Sequence, residues 1–338
     1  MPPRPRTWFG ADARLPDVRE RVRATLTDAT DLAPFRELLA VLLARPGRVL
    51  APNGAPKWPA FVLDTCLVLG GDLDAAVEAA AAVDLIAAAA DVVDDLVDDD
   101  WNGPPRDAHR ALNATLALTS LAQMRAFGLA DRLGSERAAR IAAILSGSLT
   151  AAAAGEDLDI RLEDDPTTTE EIALDMTSRK SGELISMAFQ VGAAIATDDR
   201  GVIEQCGAFG RRVGIVAQVV NDIAGIAILE SARGSDLARR KKTLPVAYAL
   251  RCAEAEGVSP ILAWYGLADG HATESAVAAA IQELGGHHYA WVVADAHRRE
   301  ALRILSRLTR ATGRRDIQHL RRLLPDLTGG VVRAKADA

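Results

Sequence analysis

A run of carboxylates interrupts an apolar, alanine-rich segment near residue 90. Six aspartates fall close together there: Asp91, Asp94, Asp95, Asp98, Asp99 and Asp100. The first four recur at i, i+3, i+4 and i+7, so on a helix they share one face, where each like-charged pair costs about 0.2–0.5 kcal/mol. A positive partner must compensate, and Mg2+, which prefers carboxylate and phosphate oxygens, best matches this set. A solvated acidic helix end is the alternative that this segment alone leaves open.

A second apolar stretch, residues 215–225, also contains oxygen ligands. Gln218, Asn221 and Asp222 stand on adjoining turns of it. Asn and Asp are poor helix-interior residues and are seldom buried without partners, so an ordinary core helix would not place them together. Consecutive basic residues follow at 239–242 and are able to bind an anion, although such a run is more often a solvated turn. The second stretch strengthens the prediction of a divalent cation site.

The elements that must position these side chains are predicted to be helices. Proline breaks helix interiors, and four long stretches lack it: 61–103, 106–165, 167–244 and 261–324. Apolar residues recur at helical spacing from Leu184 to Val191, and no convincing alternating strand is present. The pattern predicts a single all-α domain with a central helical bundle. Helix boundaries are expected at 70–71, 102–105, 164–166, 231–235 and 285–286.

The composition limits the classes of function. The chain has 338 residues, of which 49% are hydrophobic and only 4% aromatic, so we expect a large alanine-rich core. A net charge of -7 argues against nucleic acid as a partner. Cys66, Cys206 and Cys252 are too scattered for a disulfide framework or a zinc site, and they favour a reducing cytoplasm. No signal peptide is predicted, and acidic residues within the longest apolar stretch, residues 75–93, argue against a membrane span.

Five short motifs resemble those of one known family, the trans-isoprenyl diphosphate synthases. Residues 94–98 read DDLVD and resemble its first aspartate-rich motif, and residues 218–225 read QVVNDIAG and resemble its second. Residues 155–159 (GEDLD), 180–184 (KSGEL) and 236–245 (DLARRKKTLP) are similar to three further motifs. The matches occur in the order that the family has. The resemblance therefore indicates a specific fold rather than a chance motif.

That resemblance implies an architecture. The isoprenoid synthase fold is a single-domain antiparallel helical bundle around a central cavity, and the two acidic motifs face each other across it. Residues 56–325 would form this domain, residues 1–55 a helical N-terminal extension and loop, and residues 326–338 a disordered tail. The family also implies a homodimer.

The resemblance further implies roles for individual residues. Mg2+, as three ions together with bound diphosphate, would be held by Asp94, Asp95, Asp98, Asn221 and Asp222. The diphosphate would contact Lys180, Gln218, Lys241 and Arg106. The catalytic residues would be Asp94, Asp98, Lys180 and Lys241, because neutralising the departing diphosphate lowers the barrier to ionisation of an allylic substrate. Small residues at Ala89 and Ala90 indicate room for a C15 or C20 chain, with close helix packing as the alternative explanation.

The chain departs from the family pattern where the second substrate would bind. The early basic motif that binds the diphosphate of isopentenyl diphosphate is replaced by residues 54–59, GAPKWP, in which Lys57 alone is basic and lies out of register. The arginine pair that usually follows the first motif is also missing. Asn221 replaces the first aspartate of the second motif, and Gly225 replaces the last. A second diphosphate would meet a negative site without its cations, so we do not expect ordinary chain elongation.

Three functions remain compatible with this pattern. The first is transfer of the prenyl group to a non-standard acceptor. The second is cyclisation of a single prenyl diphosphate by a class I terpene synthase, although Gly225 and Leu229 fill the last two ligand positions of the fuller cyclase signature. The third is a non-catalytic subunit of a heteromeric prenyl diphosphate synthase. The intact first motif and the retained lysines, Lys180 and Lys241, argue against the third.

Overall fold

The computed structural model describes residues 11–52, 57–101, 104–165, 167–227 and 236–327. Within these ranges the chain forms helices and no β-strand, which confirms the predicted all-α class. A π-helical segment lies at Ser178–Gly182, and 3-10 helices lie at Ala11–Arg14 and Arg315–Leu323. The α-helices are α1 (Leu15–Ala29), α2 (Ala33–Leu43), α3 (Lys57–Leu69), α4 (Leu73–Val97), α5 (Pro105–Gly128), α6 (Ala130–Leu133), α7 (Ser135–Asp164), α8 (Glu170–Thr177), α9 (Glu183–Ala196), α10 (Arg200–Ala227), α11 (Leu244–Glu256), α12 (Ser259–Trp264), α13 (Glu274–Glu283) and α14 (Gly286–Thr312).

Helix α4 lies at the centre of the bundle and carries the acidic run. Its residues 75–89 are buried with the exception of Glu78, and it packs against α3, α5 and α9. Alanine loses no side-chain entropy in a helix and lets neighbouring helices approach closely, which explains why this composition forms a central helix. The Asp72 carboxylate caps its start by accepting hydrogen bonds from the backbone of Asp74 and Ala75. The acidic run therefore occupies the last turns of a rigid element.

The end of α4 is formed by a left-handed residue. Asp99 has φ +53, and the backbone N–H of Asp100 donates to the carbonyl of Asp95 over 2.8 Å. This is the usual geometry of a helix C-terminus, although glycine is the residue that adopts it without strain. The termination places Asp98 at the cap, one turn beyond Asp94.

Helices α1 and α2 share the apolar core of the rest of the protein. Val18, Val22, Leu39 and Leu42 are buried in the same cluster as the apolar side of α4. The predicted division at residue 55 stays a prediction, and the apolar core does not break there. From residue 328 onward, the predicted disordered tail lies outside the described residues.

Most predicted helix boundaries coincide with observed helix ends. Breaks occur after Leu69, Val97, Asp164 and Glu283, and the predicted break at 231–235 lies outside the described residues. By length and composition alone, Ser135–Glu163 in α7 is able to cross a membrane, and no other described helix passes that test. A core helix passes the same test, and 39% of the apolar window is buried within this structure. The predicted absence of a membrane span stays a prediction.

Candidate active site

The aspartates of α4 divide between two sets of basic partners. Asp94 and Asp98 face lysines, whereas Asp91 and Asp95 face arginines from the turn after α2. We call Asp94 and Asp98 with their lysine partners the lysine side of α4. Asp91 and Asp95 with their arginine partners are the arginine side.

On the lysine side, Lys180 lies among three carboxylates. Its Nζ is 2.8 Å from Asp94 Oδ1, 2.8 Å from Glu156 Oε2 and 2.9 Å from Asp159 Oδ2. Burial alone would lower the pKa of Lys180, but the charges of Asp159, Asp94 and Glu156 outweigh it and raise that pKa. Lys180 is therefore a permanent cation held at the C-terminal end of α4.

Lys241 completes the lysine side from a different segment. Its Nζ is 2.7 Å from Asp98 Oδ2 and 3.4 Å from Asp159 Oδ2. Asp159 consequently joins the two lysines, and their charges lower its pKa even though burial alone would raise it. The two lysines face four carboxylates, Asp94 and Asp98 at the end of α4 and Glu156 and Asp159 of α7, so their charges are more than balanced.

The π-helical segment determines where Lys180 points. A Cβ atom on Gly155 of α7 would overlap the Lys180 backbone nitrogen and lie 2.8 Å from the Arg179 carbonyl carbon. A Cβ atom on Gly214 of α10 would lie 2.7 Å from the backbone carbonyl oxygen of Ser181. Two helices therefore enclose the wide turn at close range, and this requires glycine at both positions. Single π turns inside helices commonly serve to place a functional side chain.

Aromatic side chains anchor the turn that carries Lys241. The Trp264 indole N–H donates to the Leu237 carbonyl over 3.0 Å, and the Tyr265 hydroxyl donates to the Lys241 carbonyl over 3.2 Å. Arg240 has φ +56 at the position where the family motif has glycine. Trp264 and Tyr265 thus position the basic segment instead of facing the cavity.

The second motif lies beside Lys180 on α10. The Gln218 amide donates to Asp222 Oδ1 over 2.8 Å, and its carbonyl oxygen accepts from the Ser181 hydroxyl over 2.6 Å. Asp222 is 2% exposed, its Oδ2 has no hydrogen-bond partner, and burial raises its pKa to about 7. Asn221 is exposed toward the cavity. A buried carboxylate oxygen without a partner is costly unless a cation binds it.

A cavity of about 420 Å³ lies next to these polar groups. Asp94, Lys180, Gln218 and Asn221 contribute to its wall together with small and apolar residues. The apolar part of the wall includes Trp58, Ala89, Ala90, Leu149, Leu184 and Ile185. The cavity therefore combines an apolar chamber with a charged group at one end, as an amphiphilic substrate requires.

On the arginine side, Arg48 is buried and already neutralised. It is 4% exposed, its Nε donates to Asp91 Oδ2 over 3.0 Å, and its Nη1 lies 3.7 Å from Asp84 Oδ1. Its guanidinium lies 5.6 Å from the ring centre of Trp58, and Arg45 pairs with Asp95. Burial, opposed in part by Arg48, raises the pKa of Asp84 to about 6.

The donor set is suited to a hard divalent cation. Asp94, Asp98 and Asp222 supply carboxylate oxygens and Asn221 an amide oxygen, the ligand types that Mg2+ prefers. Among the described residues, no three His, Cys, Asp or Glu side chains converge closely enough to hold a metal in the present side-chain arrangement. Lys180 and Lys241 instead neutralise the carboxylates of the first motif. The unpartnered Oδ2 of Asp222 is the observation that favours a cation here.

A family model for polyprenyl synthetases matches residues 41–284. The chain belongs to the polyprenyl synthetase family. It is 28% identical over 294 residues to a short chain isoprenyl diphosphate synthase of Methanothermobacter thermautotrophicus, covering 83% of this chain and 86% of that protein. It is 31% identical over 250 residues to a geranylgeranyl diphosphate synthase of Mycobacterium tuberculosis, covering 70% of each. These names identify it as a prenyltransferase-type enzyme of isoprenoid biosynthesis.

Solved structures agree with this fold. A polyprenyl synthetase from Streptomyces coelicolor superimposes with a TM-score of 0.74 at 23% identity, over 94% of this chain and 100% of that one. A polyprenyl synthase from Caulobacter crescentus, complexed with calcium and isoprenyl diphosphate, gives a TM-score of 0.75 at 18% identity, over 93% and 94%. These similarities support the isoprenoid synthase fold and no finer statement.

Within this polyprenyl synthetase fold, the structure brings most of the predicted site residues together. Around the end of the cavity lie Asp94, Asp98, Lys180, Lys241, Gln218, Asn221 and Asp222, and Ala89 and Ala90 line its wall. Asp95 instead faces Arg45, and Arg106 is exposed in the first turn of α5, outside the cavity wall. The individual roles of all these residues stay predictions.

Sequence reasoning missed several residues of the polyprenyl synthetase site. Glu156 and Asp159 lie in a motif that was recognised, but nothing in their spacing showed that they contact Lys180. Arg45 and Arg48 lie in residues 1–55, for which the sequence indicated no role. The signal that could have revealed them is charge balance, because Asp84 and Asp91 in a buried helix require a cation.

Proposed function

We propose that this prenyltransferase ionises a C15 or C20 allylic isoprenyl diphosphate with Mg2+ and transfers the prenyl group to an acceptor that lacks a diphosphate. The observation that carries the proposal is the arginine side of α4. Arg48 is buried against Asp84 and Asp91, and Trp58 lies beside it at the edge of the cavity. Arg48 is therefore out of reach of a second diphosphate, and Arg45, although 30% exposed, is already paired with Asp95.

The lysine side supports the ionisation step. The C1–O bond of the allylic substrate breaks, and the electron pair leaves with the diphosphate. Lys180 and Lys241 would stabilise that charge in a site of low dielectric, where fixed cations contribute several kcal/mol. Asp94, Asp98, Asn221 and Asp222 would hold Mg2+, which when bound neutralises further charge on the leaving group. The apolar wall keeps water from the allylic cation.

The acceptor preference follows from the charges on the arginine side of α4. Arg45 and Arg48 face three carboxylates, Asp84, Asp91 and Asp95, so this side of the helix is negative overall. The lysine side is negative as well, but there the proposed Mg2+ would supply the compensating charge. A diphosphate placed on the arginine side would be repelled and would lose its hydration without gaining cations. An uncharged nucleophile avoids both costs.

Cyclisation of a single substrate is the second candidate. It is favoured by Asn221, which is exposed toward the cavity at a position where terpene cyclases commonly have asparagine. Cyclisation needs no acceptor site, so the neutralised arginines are equally compatible with it. A non-catalytic subunit is disfavoured, because the intact first motif, Lys180 and Lys241 are retained together at the end of the cavity.

Product analysis separates these functions. The purified protein is incubated with Mg2+ and geranyl, farnesyl or geranylgeranyl diphosphate, alone, with isopentenyl diphosphate, or with uncharged phenol, alcohol and indole probes. We expect a prenylated probe and no elongated diphosphate by mass spectrometry. A hydrocarbon or cyclic alcohol from one diphosphate alone would support cyclisation, and elongation with isopentenyl diphosphate would contradict both. Lys180→Met should abolish turnover, whereas Lys57→Met, at an exposed residue outside the cavity, should leave it unchanged.

We also propose that two copies associate through the outer face of α5, in the cytoplasm. Leu112, Leu116, Met124 and Phe127 are 52%, 70%, 67% and 59% exposed and follow one another along that helix. Exposed apolar patches of this kind mark protein–protein interfaces, and most oligomers of one chain are symmetric dimers. Light scattering should give twice the mass of one chain for the wild type and the mass of one chain for Leu116→Glu. A monomeric wild type would contradict the assembly.

A further inference from the structure

An aromatic side chain lines the cavity next to the arginine side of α4. Among the residues that the structure describes, Trp58 is the only aromatic residue in the cavity wall. It belongs to residues 54–59, the stretch that replaces the family's basic motif for the second diphosphate. The segment in which the family motif has its cations therefore presents an indole to the cavity.

Trp58 is held in place by the core and by Arg48. It makes an edge-to-face contact with Phe61, with ring centres 6.3 Å apart, and Phe61 stacks on the buried Phe189 at 5.1 Å. The Arg48 guanidinium lies 5.6 Å from the centre of the indole. Pro59 follows in the first turn of α3, where the missing N–H of proline costs no hydrogen bond. The indole is thus a fixed part of the wall, and a ligand that packs against it binds to a preorganised surface.

Arg48 also affects which kind of ligand the indole is suited to bind. The face of an aromatic ring attracts cations, and here a guanidinium already lies over the ring. A second cation, such as an ionised prenyl group, would gain less from the same ring. A neutral aromatic ligand instead gains from offset stacking or from an edge-to-face contact with the indole. Trp58 is therefore better suited to an uncharged aromatic molecule than to an allylic cation.

Arg48 joins the indole to a hydrogen-bond acceptor in the same wall. Asp91 lines the cavity with a side chain that is 41% exposed, and its Oδ2 accepts from Arg48. An ionised carboxylate has about four acceptor sites on its two oxygens, so this ion pair does not exhaust them. Asp91 is therefore able to accept a further hydrogen bond from an N–H or O–H group of a ligand that lies against Trp58.

We propose that Trp58 and Asp91 bind the acceptor, and that the acceptor is an electron-rich aromatic compound with an N–H or O–H group. The indole packs against the ring of the acceptor, and the carboxylate accepts its polar hydrogen. The new bond joins C1 of the prenyl group to the acceptor, and the proton that the acceptor loses leaves with the diphosphate. The inference rests on the proposed transfer to an uncharged acceptor, and it adds the chemical class of that acceptor.

Two pairs of probes test this assignment, each with farnesyl diphosphate, Mg2+ and the full-length protein. Phenol and cyclohexanol share a hydroxyl group and a six-membered ring, but only phenol is aromatic. Indole and 1-methylindole share their aromatic rings, but only indole has an N–H. Mass spectrometry of the prenylated product gives a KM for each probe. We expect the KM to be about 10-fold lower for phenol than for cyclohexanol, and about 10-fold lower for indole than for 1-methylindole.

Variants of the indole test its part directly. Trp58→Leu keeps an apolar side chain without the ring, and should raise the KM for phenol about 10-fold while the KM for cyclohexanol changes much less. Trp58→Phe should keep most of the preference for phenol, because it keeps an aromatic ring. Trp291→Leu, on α14 and outside the cavity wall, is the matched control and should behave as the wild type does. Circular dichroism establishes that each variant is folded.

The outcomes separate this inference from the proposed function. A KM for cyclohexanol equal to or below that for phenol would overturn the part of Trp58, as would a preference for phenol that persists in folded Trp58→Leu. Equal KM values for indole and 1-methylindole would overturn the part of Asp91. Each of these results leaves transfer to an uncharged acceptor standing. A wild type that prenylates none of the four probes would overturn the inference and the proposed acceptor together.

Discussion

The backbone of Lys180 passes directly over the α-carbon of Gly155, with no room for a side chain between them. This contact joins the π-helical segment to α7, the helix that also provides Glu156 and Asp159. The lysine and two of its three carboxylate partners are therefore positioned by one packing contact.

Replacing Gly155 with alanine should disable the site without unfolding the protein. The new Cβ must push the 178–182 segment away from α7, and a shift of about 1 Å in a catalytic group costs about 100-fold in rate. We expect such a loss in kcat/KM for an allylic diphosphate, measured as diphosphate release. Gly147→Ala is the matched control, because Gly147 lies on the same helix with nothing within 4 Å of its Cβ position. It should keep full activity and gain up to about 1 kcal/mol of stability.

Asp159→Asn should weaken both lysine positions at once. The substitution removes the carboxylate that joins Lys180 to Lys241, so each lysine keeps fewer partners and becomes more mobile. We expect a loss of about 3 kcal/mol in unfolding free energy, measured by urea denaturation, because a buried ion cluster is broken. Asp157→Asn, two positions earlier and 69% exposed, should change stability by less than about 0.5 kcal/mol. Equal effects of the two would contradict a shared role for Asp159.

Ala89→Phe should shift substrate preference toward a shorter chain. Ala89 lines the cavity, whose volume is about 420 Å³, and an added phenyl ring would fill part of it. We expect geranyl diphosphate to gain on farnesyl and geranylgeranyl diphosphate in competition experiments. Ala82→Phe, at a fully buried position outside the cavity wall, serves as a comparison that should destabilise the protein. Unchanged selectivity in Ala89→Phe would contradict the predicted substrate path.

Stability should decrease as the pH falls from about 6.5 to about 4, in part because of His297. Burial first, and then the charge of Arg212 at 2.9 Å from its Nδ1, lower the pKa of this imidazole to about 4. In the unfolded chain histidine binds a proton near pH 6.5, so between these values the unfolded state holds more protons and is favoured.

His297→Gln should reduce that pH dependence while keeping an acceptor for Arg212. Allowing for partial solvent screening, we expect the loss of unfolding free energy between pH 7 and pH 5 to shrink by about 1 kcal/mol. Urea denaturation at both values measures it. His288→Gln, at an exposed position on the same helix, should leave the pH dependence as in the wild type. Parallel curves for wild type and His297→Gln would rule out the contribution of His297.

The sequence predicted the helices and the lysine side of the site for a physical reason. Proline spacing and apolar period depend on local backbone rules, and the motifs around Asp94 and Lys180 are local as well. The folded protein keeps both the predicted helices and these motifs, because α4 and the 178–182 segment each contain the residues of their motif within one short stretch. The family comparison then confirmed what the motifs implied about fold and enzyme class.

The arginine side depends on contacts that no local pattern contains. Arg48 and Asp91 are 43 positions apart, and only packing of the turn after α2 against α4 brings them together. The same is true of Gly225 and Asp236, which are eleven positions apart and meet only because the turn before α11 packs against α10. Spacing indicates which residues share a helix face, whereas the partner of each face is determined by tertiary packing.

Arg48 also limits which single substitutions the arginine side of α4 tolerates. Exchanging Asp91 alone for an apolar residue would leave a buried guanidinium short of a partner, and exchanging Arg48 alone would leave Asp84 and Asp91 uncompensated. Each such intermediate would lose about 3–5 kcal/mol, a large part of the stability of an average protein. Replacing this arrangement therefore requires several coordinated substitutions, so lineages that have it should seldom lose it.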